Sequence, residues 1–119
     1  LKGYKEMKIF VDVDETICYN EDNDKSKARD YSKSAPIEEN IQAVNSLYEQ
    51  GHEITYWTAR GTVTGIDWYD LTKKQLMSWG AKHHDLILGK PAYDLYIDDK
   101  SINTRRWEET GRCISIPEQ

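Results

Sequence analysis

The sequence predicts an α/β domain built on a mostly parallel sheet, on three observations. Apolar strand-like runs alternate with segments of helical periodicity, the pattern of successive βαβ units. Three of those runs end on polar residues. Met7-Lys8-Ile9-Phe10-Val11 leads into Asp12-Val13-Asp14-Glu15-Thr16, Glu53-Ile54-Thr55-Tyr56-Trp57 into Thr58, and Asp94-Leu95-Tyr96-Ile97 into Asp98-Asp99. Finally, 119 residues suffice for one modest core and no second domain of ordinary size.

The first strand is expected over about residues 7–13. The polar stretch from Tyr19 to Ser34 has no apolar periodicity and reads as a long loop, of a length usually functional or disordered. A helix is predicted to start at Ser34-Ala35-Pro36, since proline suits a first turn. Ile37, Ile41, Val44, Leu47 and Tyr48 recur on one face of it, and Gly51 closes it. The second strand spans about 53–58, and Arg60 to Gly65 forms a loop. Thr72-Lys73-Lys74-Gln75 has the pattern of a capping box for a helix ending at Gly80, with Leu71, Gln75, Leu76 and Trp79 on one face. A short strand over 86–88 precedes Gly89-Lys90-Pro91. A strand over about 94–98, a helix from Ile102 to Thr110 and a last strand over 112–116 complete the prediction.

Hydrophobic residues make up 38% of the chain and charged residues 31%, a globular composition. The net charge of −5 argues against a broad nucleic-acid-binding face. No apolar run approaches the roughly 20 residues of a membrane span, and no signal peptide is legible, so a cytoplasmic protein is expected. Cys18 and Cys113 fit no metal spacing and read as reduced thiols. Residues 1–6 read as a leader or an expression remnant, and 7–119 as the single domain.

Strand ends in a parallel sheet share one edge, where ligands bind. Asp12, Asp14, Asp98 and Asp99 are therefore expected to converge. Carboxylates that close repel unless a cation lies among them or some are protonated. An aspartate can attack phosphorus without prior deprotonation, which suits Asp12. Asp14, two residues on, can protonate the leaving oxygen and later activate water. An isolated D-x-D-x-T could equally be a pair of solvated carboxylates; the matching strand ends favour chemistry. Thr58 can donate to a phosphoryl oxygen, and Lys90 can neutralise charge on carboxylate and phosphate. Asp12, Asp98 and Asp99 would supply some of the six oxygens of Mg²⁺, with Asn103 orienting a metal-binding carboxylate from outside. The plainer alternatives are a surface lysine at Lys90 and a helix-capping pair at Asp98-Asp99.

The order Asp12-x-Asp14-x-Thr16, Thr58, Lys90, Asp98-Asp99 resembles the four motifs of the haloacid dehalogenase (HAD) superfamily across about residues 9–103. The resemblance implies a Rossmann-like three-layer sandwich with a five-stranded parallel sheet and, at this length, no large cap domain. It implies Mg²⁺-dependent phosphoryl transfer through an aspartyl-phosphate. Asp12 would be nucleophile and metal ligand. Asp14 would be general acid/base and give a carbonyl to the metal. Thr58 and Lys90 would hold the phosphoryl group, and Asp99 would be the direct metal ligand with Asp98 beside it. Thr16 closes the first motif and is placed with Asn103 around the metal ligands. Glu15 stands where many members have glycine. The stretch Gly89 to Lys100 resembles a branch of small phosphatases of capsule and lipopolysaccharide sugar biosynthesis.

The function expected is a phosphatase of a small phosphorylated metabolite, a sugar phosphate above others. Two alternatives remain: a phosphatase of a phosphoprotein or nucleic-acid end, and a non-catalytic phosphate-binding module. Recognition is expected from the 19–34 loop, with Lys25, Lys27 and Arg29, and from Arg60, His83 and His84. Either a homo-oligomer closes the site, through aromatics such as Tyr19, Tyr31, Trp68 and Tyr69, or the site is open.

Overall fold

The computed structural model describes residues 6–21 and 29–106. Its centre is a parallel three-stranded sheet, β1 (Lys8–Val11), β4 (Glu53–Thr58) and β5 (Asp85–Leu88), in the order β1-β4-β5. Lys8 pairs with Glu53 and Val11 with Tyr56; Thr55 pairs with Asp85 and Thr58 with Leu88. The carboxyl ends of the three strands thus lie along one edge. A two-stranded antiparallel hairpin, β2 (Cys18–Asn20) with β3 (Ser34–Pro36), rises after β1. The class is α/β with a parallel sheet, as expected. The parallel sheet has three strands, not five, among the described residues.

Helix α1 (Glu38–Glu49) buries Ile41, Val44 and Leu47, the stripe its spacing predicts. Its first turn carries Glu38 and Glu39, which suit the positive end of the helix dipole. Helix α2 (Tyr69–Ser78) buries Thr72, Gln75 and Leu76. The apolar side chains of both helices join Val11, Val13, Ile17, Ile54, Tyr56 and Leu86 in one core cluster. Each fully buried aliphatic side chain there contributes about 1.5–3 kcal/mol. Asn45 ties the layers together: its amide donates to the Gly80 carbonyl at 2.8 Å and its oxygen accepts from Lys82 N–H at 2.8 Å. Alternation puts Phe10, Trp57 and Ile87 on the opposite sheet face, where Phe10 is 59% exposed.

Four local expectations are corrected. Ser34–Pro36 is a strand and not the start of the helix. The residue before a proline is driven toward extended backbone, and Pro36 pairs opposite Cys18 at the hairpin's end. The polar 19–34 stretch accordingly contributes strand at both ends; residues 22–28 lie outside the described residues. Thr72 is not a helix cap, because α2 begins a turn earlier, at Tyr69. Residues 94–98 form no strand, and Leu95 and Ile97 are 75% and 89% exposed. A strand's hydrogen bonds come from a neighbour, and among the described residues nothing pairs with this segment. A short 3-10 turn, Thr104–Arg106, occupies the beginning of the expected last helix. The remainder of that helix and the expected strand over 112–116 lie outside the described residues, as does Cys113.

Candidate active site

Asp12 follows the last residue of β1, where the chain leaves the sheet and turns back on itself. Val13 O accepts from Thr16 N–H at 3.2 Å and Ile17 N–H at 2.9 Å, and Glu15 N–H donates to Cys18 O at 2.8 Å. The turn needs a left-handed residue, and Glu15 takes it at φ 61°. This conformation explains why glycine would serve at that position. The turn presents Asp12 and Asp14 in different surroundings.

The Asp12 carboxylate is half-buried, with Oδ1 accepting from Val13 N–H at 2.9 Å and lying 3.7 Å from Lys90 Nζ. Burial raises its pKa above the ordinary carboxylate value, opposed by the Lys90 charge. Lys90 is itself fixed from β4 and the loop after it. Its N–H donates to Thr58 O at 3.1 Å, and its carbonyl accepts from Thr62 Oγ1 at 2.7 Å. Its ammonium also lies 5.6 Å from the Trp57 ring centre and 5.2 Å from that of Tyr93. Two aromatic faces and a carboxylate therefore hold one cation, at a residue that composition alone would put on the surface.

Thr58 closes β4 and is buried, with its hydroxyl accepting from Arg60 N–H at 3.1 Å. The hydroxyl proton remains for an acceptor at the strand tip. Thus the structure brings Asp12, Asp14, Thr58 and Lys90 to the one sheet edge.

Arg60, His83 and His84 are placed otherwise than expected. Arg60 was expected to face substrate, but its side chain points inward and is fully buried against Asp14. His83 and His84 sit at the amino end of β5. His84 Nδ1 accepts from Ile54 N–H at 3.0 Å, and its ring stacks on Tyr48. Ile54 is four residues before Thr58, roughly 13 Å along the strand, so these histidines belong to the opposite edge of the sheet. His83 Nδ1 lies 2.8 Å from Ala81 O and its Nε2 lies 3.1 Å from Lys73 Nζ. Burial lowers its pKa. Asp98 and Asp99 are exposed on an irregular segment. The Asp98 side chain accepts from Lys100 N–H at 3.3 Å, and that of Asn103 from Arg105 N–H at 2.9 Å. Thr16 offers its carbonyl to the Asn40 amide at 2.7 Å.

The donor set tests the expected Mg²⁺. Among the described residues no group of three or more His, Cys, Asp or Glu side chains could hold a metal ion. Both Asp14 oxygens are engaged by Arg60. Asp12 is the one carboxylate in position, short of the oxygen ligands Mg²⁺ takes. The ligand expected from Asp14 is its backbone carbonyl, which the Arg60 contacts to its carboxylate do not involve.

A cavity of about 200 Å³ is lined by Arg29, Tyr31, Ala59, Gly61, Trp68 and Ala92, among others. Ala59 adjoins Thr58 in sequence and Ala92 is two residues from Lys90, while Asp12, Asp14, Thr58 and Lys90 are not among the lining residues. Tyr31 and Trp68 meet edge to face, 5.2 Å between ring centres. Sequence reading missed Gln75, Thr72 and Cys18 as neighbours of the site. All three lie on faces that register and helix phase alone make internal.

A crystal structure of a structural-genomics target from Vibrio cholerae is similar to this chain, with a TM-score of 0.71 and 21% identity over 87% of each chain. At that identity the likeness shows a shared fold. No protein-family profile and no curated protein sequence matches the chain. Among the described residues no helix is long and apolar enough to cross a membrane.

Proposed function

We propose that this chain is a phosphomonoester hydrolase of HAD type acting on a small phosphorylated metabolite, with Asp12 as nucleophile. The observation that supports it best is the meeting of Asp12, Asp14, Thr58 and Lys90 at the carboxyl edge of a parallel sheet. Binding alone would call for cations and hydroxyls; a desolvated carboxylate beside a lysine suits attack. Val13 N–H and Lys90 both lie on Oδ1 of Asp12, which leaves Oδ2 to form the bond to phosphorus. As that bond forms, the ester P–O bond breaks and the departing oxygen takes the proton of Asp14, which enters this step as the carboxylic acid and leaves it as the carboxylate. Water then attacks the aspartyl-phosphate, Asp14 accepts its proton, and inorganic phosphate and Asp12 are regenerated. Lys90 and the Thr58 hydroxyl bear on the phosphoryl oxygens, where negative charge is concentrated.

The finer fold reading, a Rossmann-like sandwich of five parallel strands, belongs to the same proposal, as do Mg²⁺ and a sugar phosphate as substrate. They rest on the motif order. The cavity of about 200 Å³ is below the roughly 300–1,000 Å³ of drug-sized pockets, which agrees with a small substrate. A homo-oligomer that covers the site is the companion proposal.

Turnover of p-nitrophenyl phosphate and of a panel of sugar phosphates tests the reading, with Asp12→Asn as control and beryllium fluoride to trap an adduct on Asp12. Phosphate release by the wild-type chain and none by the variant is expected. Undiminished turnover by Asp12→Asn, or none by the wild type, overturns it. Release from phosphopeptides or nucleic-acid ends alone would move the substrate to the macromolecular class.

A further inference from the structure

The Arg60 side chain is fully buried in this chain of net charge −5, and every one of its donors is used. Nε donates to Asp14 Oδ2 at 3.0 Å and Nη2 to Asp14 Oδ1 at 2.9 Å, the two-pronged carboxylate grip of a guanidinium. Nη1 donates to Gln75 Oε1 at 2.6 Å and Thr72 Oγ1 at 3.0 Å, both on α2. The second proton of Nη2 faces Ser34 Oγ at 3.4 Å and Cys18 Sγ at 3.6 Å, both on the hairpin. The Tyr31 ring covers the guanidinium carbon at 4.7 Å, and Gln75 Nε2 donates to Tyr31 O at 2.7 Å. Five N–H donors thus meet acceptors from three parts of the fold, and none is left for a substrate.

We infer that Arg60 is a positioning residue that aims Asp14 at the leaving-group oxygen and couples that aim to α2 and the β2–β3 hairpin. Asp14 Oδ1 accepts from both Arg60 Nη2 and Cys18 Sγ, the latter at 3.4 Å. Oδ2 accepts from Arg60 Nε and has a second lone pair without a described donor. Oδ2 is therefore the oxygen open to substrate: it carries the proton when Asp14 enters the first step as the carboxylic acid, with Arg60 Nε still donating to its other lone pair, and it takes a proton from water in the second step. The fork fixes both carboxylate oxygens, so Asp14 cannot rotate about its terminal torsion without breaking two charge-assisted bonds. A lysine, a single-point donor, cannot impose that orientation.

This inference rests on the phosphatase reading, and its test separates the two. The probes are p-nitrophenyl phosphate, whose leaving group needs little protonation, and phenyl phosphate, of similar shape, whose leaving group needs more. Asp14→Asn should raise the p-nitrophenyl to phenyl ratio of kcat about tenfold or more, a part of the roughly 10²–10⁴-fold that a general acid contributes. Arg60→Met and Arg60→Lys should raise it likewise, with KM little changed, and Arg60→Met with Asp14→Asn should do no more than Asp14→Asn alone. Gln75→Met releases one anchor of Arg60 without touching Asp14. It should move the ratio in the same direction by a smaller factor, and it serves if the Arg60 variants fail to fold. Equal losses on both substrates, a change in KM alone, or an unchanged ratio in folded Gln75→Met would overturn the positioning role while leaving the phosphatase reading intact. No turnover by the wild type would end both.

Discussion

Lys90 Nζ stands 3.7 Å from Asp12 Oδ1 although β5 and the loop carrying Lys90 follow β1 by more than seventy residues. The register of β4 makes this meeting possible, since Thr58 at its tip accepts from Lys90 N–H. Removing the Asp12 charge has opposite consequences for rate and for stability.

Asp12→Asn should abolish turnover yet preserve or raise the melting temperature. Burial raises the Asp12 pKa, so the folded state favours the neutral form. Any stability linked to that shift is fully present below the unfolded pKa and lost as pH rises through the folded value. At neutral pH the native carboxylate is a cost, which asparagine removes. Lys90→Met should lower kcat by about a hundredfold or more, the scale of losing one preorganised charge-stabilising donor. Thermal melts and steady-state kinetics on the same preparations check both.

Cys18 should resist alkylation at neutral pH. Its thiol is a free one, buried beside the Asp14 carboxylate, and burial with that charge pushes its pKa up to about 12. Iodoacetamide labelling mapped to Cys18 by mass spectrometry should be far slower in the folded protein than in urea. The same shift makes stability pH-dependent. Its contribution is fully present below about 9.0, the ordinary thiol value, and lost as pH rises toward 12. Tyr56, also pushed up by burial, acts in the same direction, so Cys18→Ala is the variant that isolates the thiol. Equal labelling rates in native buffer and urea would contradict this placement.

Two left-handed positions should respond oppositely to substitution. Glu15→Gly relieves a side chain held at φ 61°, and should stabilise by about 0.5–1 kcal/mol after the added freedom of the unfolded glycine is offset. Gly61→Ala should destabilise by about 1–3 kcal/mol, because a Cβ there would meet the Ile66 carbonyl oxygen at 2.0 Å at a φ of +81°. Urea unfolding of both variants measures this directly. Loss of the Gly61 turn should also impair turnover, since that loop walls the cavity.

Metal dependence is the part of the proposal carried by motif order and not by the donor geometry. EDTA should abolish phosphate release and added Mg²⁺ should restore it. Full activity in chelated buffer would remove the cofactor from the proposal and leave Asp12 and Lys90 to act without it.

Sequence alone determined what depends on near neighbours. The apolar stripe of α1 is a matter of spacing within four turns, and β4 was bounded at 53–58 by its own β-branched and aromatic run. The polar tips at Asp12 and Thr58 were legible because a parallel sheet aligns its carboxyl ends whatever the loops do, whereas the third tip read from the sequence, Asp98-Asp99, stands exposed on irregular backbone. Tertiary structure decided what depends on partners distant in the chain. Ser34–Pro36 became a strand by pairing with Cys18–Asn20. Arg60 turned inward because Asp14, Thr72 and Gln75 supply acceptors to a cation that is otherwise costly to bury. Asp94 to Asp98 has the local pattern of a strand, yet stands exposed because none of the described strands pairs with it. Propensity acts over a few residues; hydrogen-bond and charge satisfaction act across the whole fold, and only the folded chain shows which partners each group finds.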